Sequence, residues 1–454
     1  MSPAVAAKPV EGANAAEGVN RLPRPMRLPP AERPLRILFV YSRLPLPMTR
    51  GDELTVAHLL EFLRARGHRV DFVTLDAGQR LDPAHRAWLE GRCRRLAILP
   101  QPRLRSALSA LAGLAIGRPL QIGWFRSAAQ LDWVRQALAA EPYDIAYAYY
   151  IRSAEALRWL HDRPSRPATF LAMQLSQYLN TRRLALTTRS RLQRLVFGLE
   201  SRLVRAYEAR IWRDFDRAVL IGPKDLAAVR EACRLEGVAG IDPAAGNVVW
   251  GPHGVDTGRM APRPEVEVEP DSVVMTGAMR YPPNAQGALW LAAEAWPRIR
   301  AARPGAKLYI VGRDPPPEVV ALGGRDGITV TGTVADPADW MARAAVCAAP
   351  ILAAAGLQNK LLEYMAMGRP VVATAAANEG IGAMPGRDLV VADDGPALAE
   401  AVTALLADPS RARALGEAGR AFVTAHWTWE AHFYNLEAAF LAAMRGEPSP
   451  AATA

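Results

Sequence analysis

Cysteine, lysine and histidine are scarce in this chain of 454 residues, with three Cys, four Lys and seven His. Cys93, Cys233 and Cys347 are odd in number and far apart, which excludes a disulfide framework and a cysteine-based zinc site. They read as small buried hydrophobes. None of the four lysines, Lys8, Lys224, Lys307 and Lys360, follows a glycine, so the chain has no GxxxxGK[ST] loop and P-loop nucleotide hydrolysis is excluded. His58, His85 and His161 stand singly, without a second ligand or a nucleophile at catalytic spacing. Long apolar runs are missing too. The most apolar stretch, residues 104–125, is broken by Arg105 and Arg118 with 12 residues between them, too few to span a bilayer. Residues 1–33 are Pro/Ala-rich, aperiodic and without the continuous apolar core of a secretory signal; they read as a disordered tail, with the cytoplasm as the expected compartment.

What the chain does have is a soluble globular composition, half hydrophobic and 22% charged, with length for two or three domains. Its net charge of +10 is unevenly placed: residues 1–250 hold 38 Lys/Arg against 23 Asp/Glu, and residues 251–454 hold 17 against 22. A basic first half points to an anionic partner surface, either phospholipid headgroups or nucleic acid. No RNP-like or helix-turn-helix signature accompanies it, so nucleic acid is not expected.

Short apolar runs suited to strands buried on both faces alternate with helical patterns. RILFVYS (36–42), VDFVTL (70–75), YDIAYAYY (143–150), ATFLAMQ (168–174) and DRAVLIG (216–222) fit one doubly wound sheet over residues 34–255. DSVVMTGAM (271–279), KLYIVG (307–312), ITVTG (328–332), AVCAAP (345–350) and PVVAT (370–374) fit a second over 271–425. Residues 256–270 have linker composition, and residues 426–445 read as an aromatic-rich terminal helix. The α/β architecture expected is therefore two Rossmann-like parallel-sheet domains, with ligands bound outside the carboxyl ends of the strands and the site in the cleft between them. Residues 180–215 form a long helical pattern with nine Arg and interleaved Leu, Val, Phe and Trp. Such a helix suits a membrane interface; the alternative is a surface helix whose apolar side packs on its own domain.

The densest chemical cluster is AAAGLQNKLLEYMAMGRPVVAT, residues 353–374. A glycine loop leading into a helix offers free backbone N–H groups to an anion, with Gln358, Asn359 and Lys360 in the first turn. Glu363 follows one turn later on the same face, where a carboxylate can accept both hydroxyls of a ribose. The other reading is an ordinary first turn with an i, i+3 ion pair. Asp214-Phe-Asp216 spells a D-x-D, but at a helix-to-strand junction, and no metal site is read there. His253 reads as a contact near the linker rather than a base.

GLQNKLLEYMAMGRPVVAT, VVWGPHGVDTGRMAP (248–262) and RILFVYSRLPLPMTRGDELTVAHLLEFLRARGHRV together resemble the retaining glycosyltransferases of family 4, which have the GT-B fold. TGAMRYPPNAQGALW, VTGTVAD and GLQNKLLEYMAMG are most similar to the exopolysaccharide sugar transferases associated with exosortase (PEP-CTERM) clusters. The resemblance covers residues 34–440. It implies two domains facing across a cleft, the first for the acceptor and the second for a nucleotide-sugar donor, with the terminal helix crossing back to the first. It implies that Gly51 admits the donor diphosphate, that Lys360 holds the pyrophosphate and that Glu363, second acid of an E-x7-E motif, binds the ribose. Gly332, Thr333 and Val334 fall where the backbone meets the base, and Arg280 and Asn284 within reach of the phosphates. Ala355 replaces the first acid, and MQLSQY stands where the family has a histidine, leaving Gln174 and Ser176 as candidates there.

The expected protein is thus a metal-independent, retaining hexosyltransferase of exopolysaccharide or envelope glycan synthesis. It would need no cofactor beyond the nucleotide-diphosphate sugar and would act on a lipid-linked glycan at the inner face of the membrane. Two alternatives stand beside it: a catalytically degenerate subunit assisting a partner, suggested by Ala355, and a sugar-nucleotide epimerase.

Overall fold

The computed structural model describes residues 26–449 except Thr49, residues 79–80, Arg189 and residues 353–356; Ala355 therefore lies outside the described residues. Two compact units emerge. Val255–Thr428 form the C-terminal unit, and the described residues up to Gly254 together with those from Trp429 onward form the N-terminal unit.

The N-terminal unit is built on seven parallel strands: β1 (Arg36–Tyr41), β2 (Arg69–Asp76), β3 (Arg95–Pro100), β4 (Ile145–Tyr149), β5 (Ala168–Gln174), β6 (Arg217–Leu220) and β7 (Val248–Trp250). Their order in the sheet is β3-β2-β1-β4-β5-β6-β7. β1, β4 and β5 are buried along nearly their whole length, as continuous apolar runs require of central parallel strands. The C-terminal unit carries six more: β8 (Ser272–Thr276), β9 (Lys307–Val311), β10 (Ile328–Gly332), β11 (Val346–Ala349), β12 (Val371–Ala373) and β13 (Val390–Val391), in the order β10-β9-β8-β11-β12-β13. Both are doubly wound α/β sheets of Rossmann type, and the expected fold class, GT-B, is the one observed. β3, β7 and β13 are strands the apolar runs did not reveal.

The helix Trp429–Met444 packs on the N-terminal sheet, where Trp429, Phe433, Leu436 and Phe440 share a core with Phe39, Phe62 and Phe170. Phe440 meets Phe170 edge-on at 4.7 Å, and Glu437 accepts from Arg66 Nε at 3.0 Å. The expected disordered tail needs correcting at its end. Met26 and Leu28 pack against this same core, Ala31 N–H donates to Arg66 O at 2.8 Å, and Arg66 donates to the carbonyls of Pro29 and Pro30. A proline-rich strip whose carbonyls lack helical partners is thus held by one guanidinium. Residues 256–270, read as a linker, run irregularly along the C-terminal unit, where Arg259 and Arg263 pair with Asp336 at 3.4 and 3.1 Å.

Three neighbouring strands of the C-terminal unit end on glycines with positive φ: Gly277 after β8 (154°), Gly312 after β9 (156°) and Gly332 closing β10 (67°). Gly277 N–H donates to Val311 O at 3.0 Å and Gly312 N–H to Gly332 O at 3.2 Å, so the loops lie flat against one another. A Cβ on Gly312 would stand 1.7 Å from Gly277 O. Gly312→Ala is therefore expected to destabilise the C-terminal unit by more than about 2 kcal/mol, combining backbone strain with overpacking. Gly305→Ala, whose Cβ meets nothing within 4 Å, should be near neutral. Urea unfolding of the two variants checks this.

Candidate functional site

The strand order of the C-terminal sheet reverses between β8 and β11, the switch point at which doubly wound sheets open a crevice for ligands. One connection leaving it runs from β8 into the helix Pro282–Trp290, and the other from β11 into the helix Asn359–Ala366. The second helix buries Leu361, Leu362, Tyr364 and Met365, which fixes the face it presents. Tyr364 anchors its first turns to β8: the hydroxyl accepts from Thr276 N–H at 2.6 Å and lies 3.0 Å from Thr276 Oγ1.

Lys360 and Asn284 meet across this switch point. Asn284 Nδ2 donates to Ala278 O at 2.9 Å, which leaves Oδ1 to accept from Lys360 Nζ. A Cβ on Gly277 would lie 2.6 Å from Asn284 Nδ2 and 3.2 Å from Lys360 Nζ, so the ammonium sits directly on the glycine ledge. Lys360 is buried, with no carboxylate at ion-pair distance among the described residues. Burial lowers its pKa to about 8, with Glu363 acting in the opposite direction.

The i, i+3 ion pair that the spacing allowed is not formed. Glu363 is half-buried and has no hydrogen-bond or ion-pair partner among the described residues. Burial raises its pKa, while the charges of Arg259 and Lys360 draw it down and Asp336 pushes it up. An unpaired carboxylate one turn from a buried ammonium, over a ledge without side chains, can accept paired hydroxyls while the ammonium holds an anion.

The other expected donor residues divide. Gln358 is buried and Asn359 exposed at the start of the helix. Gly332 supplies the turn after β10, Thr333 is exposed and Val334 packs on the core. Arg280 is not brought to Lys360: its side chain is 82% exposed, 3.7 Å from Asp314, at the rim of a cavity of 520 Å³ between Pro282, Gln286 and Glu318. Gly277, Gly312 and Arg259 were missed in the sequence. The available signal was a glycine at the end of three successive strands, in MTGAM, IVGRD and VTGTV.

In the N-terminal unit Gly51 opens the helix Gly51–Ala65, where an added Cβ would meet His253 Cε1 at an ordinary 3.5 Å. Folding alone does not demand glycine there. Thr55 Oγ1 donates to Gly51 O at 2.8 Å and lies 2.8 Å from His253 Nδ1, so the histidine donates through Nδ1 and keeps a lone pair on Nε2. Burial lowers the His253 pKa to about 4, and the ring is neutral. Gln174 closes β5 with φ 59°, and its buried Oε1 has no partner among the described residues. Ser176 instead caps the helix Gln177–Thr187 and donates to Glu208 at 2.8 Å, a structural role. Asp214 and Asp216 are taken by Arg158 and Arg166 at 2.7 and 2.6 Å, and among the described residues no cluster of His, Cys, Asp or Glu could hold a metal.

Residues 50–233 match the Glycosyl transferase 4-like domain, and residues 270–408 match Glycosyl transferases group 1. The chain is similar to the GDP-mannose-dependent monoacylated alpha-(1-6)-phosphatidylinositol monomannoside mannosyltransferase of Corynebacterium glutamicum. The two are 33% identical over 202 residues, 39% of this chain and 52% of that protein, so the match spans about half the relative's length. Among solved structures it resembles sucrose-phosphate synthase from Thermosynechococcus elongatus, with a TM-score of 0.60 and 19% identity over 91% of this chain and 100% of that one. It also resembles Anabaena Alr3699/HepE in complex with UDP and glucose, with a TM-score of 0.57 and 15% identity over 89% and 98%. At these identities the likeness is one of fold.

The lowered Lys360 pKa gives a signed pH dependence. The free amine loses its charge above pH 8, so calorimetric affinity for sulfate, an anion whose own charge is constant over this range, should be level below pH 8 and fall by up to roughly tenfold per pH unit above it. Lys360→Met should remove the dependence together with most of the affinity.

Proposed function

Because this chain belongs to the GT-B glycosyltransferases of family 4, we propose that it transfers a hexose from a nucleotide-diphosphate sugar to a lipid-linked glycan acceptor. The observation that carries the reading is the Lys360 ammonium resting on Gly277, with Glu363 unpaired one turn along. In this reading the glycine ledge admits the diphosphate and Lys360 neutralises it. Glu363 takes the ribose hydroxyls, and the backbone at Gly332–Val334 meets the base. Gln358 and Asn359, at the start of the same helix, add donors toward the phosphates.

The bond from the anomeric carbon to the diphosphate oxygen breaks as the bond to the acceptor oxygen forms. Negative charge then grows on the leaving diphosphate, and a preorganised, buried ammonium stabilises that charge more than it stabilises the ground state. The departing phosphate oxygen takes the acceptor's proton on the same face, which retains the anomeric configuration without a carboxylate pair and without a divalent ion.

The acceptor assignment rests on the surface of the N-terminal unit. The Arg-rich segment is two helices, Gln177–Thr187 and Arg191–Ile211, and the second is divided in its allegiance. Its last turns bury Val204, Ala209 and Ile211, whereas Leu192, Leu195, Val196 and Leu199 stand exposed at i, i+3, i+4 and i+7 beside Arg191 and Arg194. The helix Arg103–Ala115 exposes Leu104, Leu108 and Leu111 in the same way. Leu104, Leu192 and Leu195 keep 73%, 71% and 72% of their surface, a pattern suited to an interface of acyl chains and anionic headgroups. No described helix is long and apolar enough to cross a membrane. With the motif resemblance, this favours exopolysaccharide assembly at the inner face of the membrane.

A thermal-shift screen against UDP, GDP, ADP, CMP and TDP, with and without EDTA, should give stabilisation by one nucleoside diphosphate, unaffected by EDTA and lost in Glu363→Ala. Lys360→Ala should fold and lose more than about tenfold in turnover. Wild-type rates in that variant would overturn the assignment, and the absence of any shift would favour the assisting subunit. Flotation with phosphatidylglycerol-containing vesicles should recover the wild-type protein and not the Leu192→Asp, Leu195→Asp double variant, with nucleotide binding equal in both.

A further inference from the structure

The N-terminal sheet has a switch point of its own, between β1 and β4, and two arginines stand there. Arg43 follows β1 by two residues and Arg152 follows β4 by three. Their guanidinium carbons lie over the ring of one phenylalanine, Phe125, at 5.4 Å and 5.2 Å. Arg152 also lies over the Tyr150 ring at 4.9 Å, and its Nε donates to Gln121 Oε1 at 3.1 Å. Aromatic faces and one fixed Nε set the plane of this guanidinium and leave its two terminal nitrogens as an uncommitted fork.

The charge balance is unusual. Arg152 has no carboxylate at ion-pair distance among the described residues, and burial together with the Arg43 charge lowers its pKa. Arg43 reaches one carboxylate, Asp52, only at 3.7 Å, and that carboxylate also accepts from Tyr41 Oη at 2.8 Å. Two half-buried cations against one shared acid leave a net positive charge at the switch point, an arrangement that costs stability unless an anion completes it.

The backbone beside the pair is strained in the way binding sites are. Tyr150, a non-glycine residue, sits at φ 75°, with its hydroxyl accepting from Gln177 Nε2 at 2.7 Å, and this holds its ring against Arg152. On the adjacent strand Gln174 is left-handed too, and its unpartnered Oε1 could accept a hydroxyl from whatever carries the anion.

We infer that Arg43 and Arg152 form a phosphate-binding subsite at the β1/β4 switch point of the N-terminal unit, and that the acceptor is a phosphorylated one anchored there. The inference rests on the transferase reading for the word acceptor, but the anion site itself does not. A guanidinium fork matches two phosphate oxygens, which fixes the orientation as well as the presence of the group. The phosphate belongs either to a prenyl diphosphate carrier or to a soluble sugar phosphate; the recognition chemistry is the same.

The test uses the full chain saturated with the nucleoside diphosphate that stabilises it, so that the Lys360 site is filled. Calorimetric titration with inorganic phosphate should then show a second site, weakened at least tenfold in Arg152→Gln and in Arg43→Gln, with nucleotide affinity unchanged within twofold. Arg152→Lys keeps the charge without the fork and should fall between. If Arg152→Gln does not fold, Arg43→Gln decides. Displacement of phosphate by a short-chain prenyl diphosphate or by glucose 6-phosphate tells the two sources apart. Phosphate bound only by nucleotide-free protein, or bound equally by the wild type and both glutamine variants, would overturn the inference. An Arg152-dependent phosphate site in a protein that binds no nucleotide would leave the subsite standing and remove the transferase reading instead.

Discussion

The close stacking of backbone at the ends of β8, β9 and β10 is the constraint on which the C-terminal site depends. With no side chain on Gly277 or Gly312, the three strand ends come into hydrogen-bond contact, and a lysine amine can descend to where a Cβ would have been. The amine is then largely removed from water and held by a neutral amide oxygen rather than by an acid. Its positive charge is left for a ligand to answer. A carboxylate partner would have cancelled that charge and made the turn a structural salt bridge. Glu363 stays unpaired because Lys360 is committed elsewhere, and the two groups keep opposite signs one turn apart without forming an ion pair.

The N-terminal sheet follows the same logic with different residues. Where its strand order reverses, side chains again meet from the two connections that part company, here both cationic, and again the local acids do not balance the charge. Aromatic rings do there what Asn284 does in the other unit, orienting a cation without discharging it. Each doubly wound sheet thus delivers charge to the place its topology leaves open, and the structural carboxylates are spent elsewhere, as with Asp216 on Arg166 and Glu200 on the N–H groups of Leu120 and Gln121.

The central strands were legible because strands buried on both faces must be apolar throughout, and β1, β4, β5, β8 and β9 leave little other reading of their sequences. β3 was not: RLAILP is an edge strand, only partly buried, and β7 and β13 are too short to mark a pattern. Lys360 and Glu363 were legible as a pair of residue types, but their relation was not. Spacing along a helix cannot show that an asparagine 76 positions earlier will claim the amine. The glycine ledge was hidden for a different reason, since a positive φ leaves no letter of its own. The Arg-rich segment illustrates how one amphipathic pattern can serve two ends, its later turns closing a core and its earlier turns facing outward.

The terminal helix has a consequence for how such a chain is made. Trp429, Phe433 and Phe440 complete a core whose other walls, around Phe39, Phe62 and Phe170, lie hundreds of positions earlier. During synthesis those walls emerge first and wait uncovered while the whole C-terminal unit is translated. The second unit, contiguous in the chain, can fold as soon as it leaves the ribosome, whereas the first cannot close until the last turns arrive. Order of folding is thus the reverse of order of synthesis, and the interval between the two is when the chain depends most on chaperones.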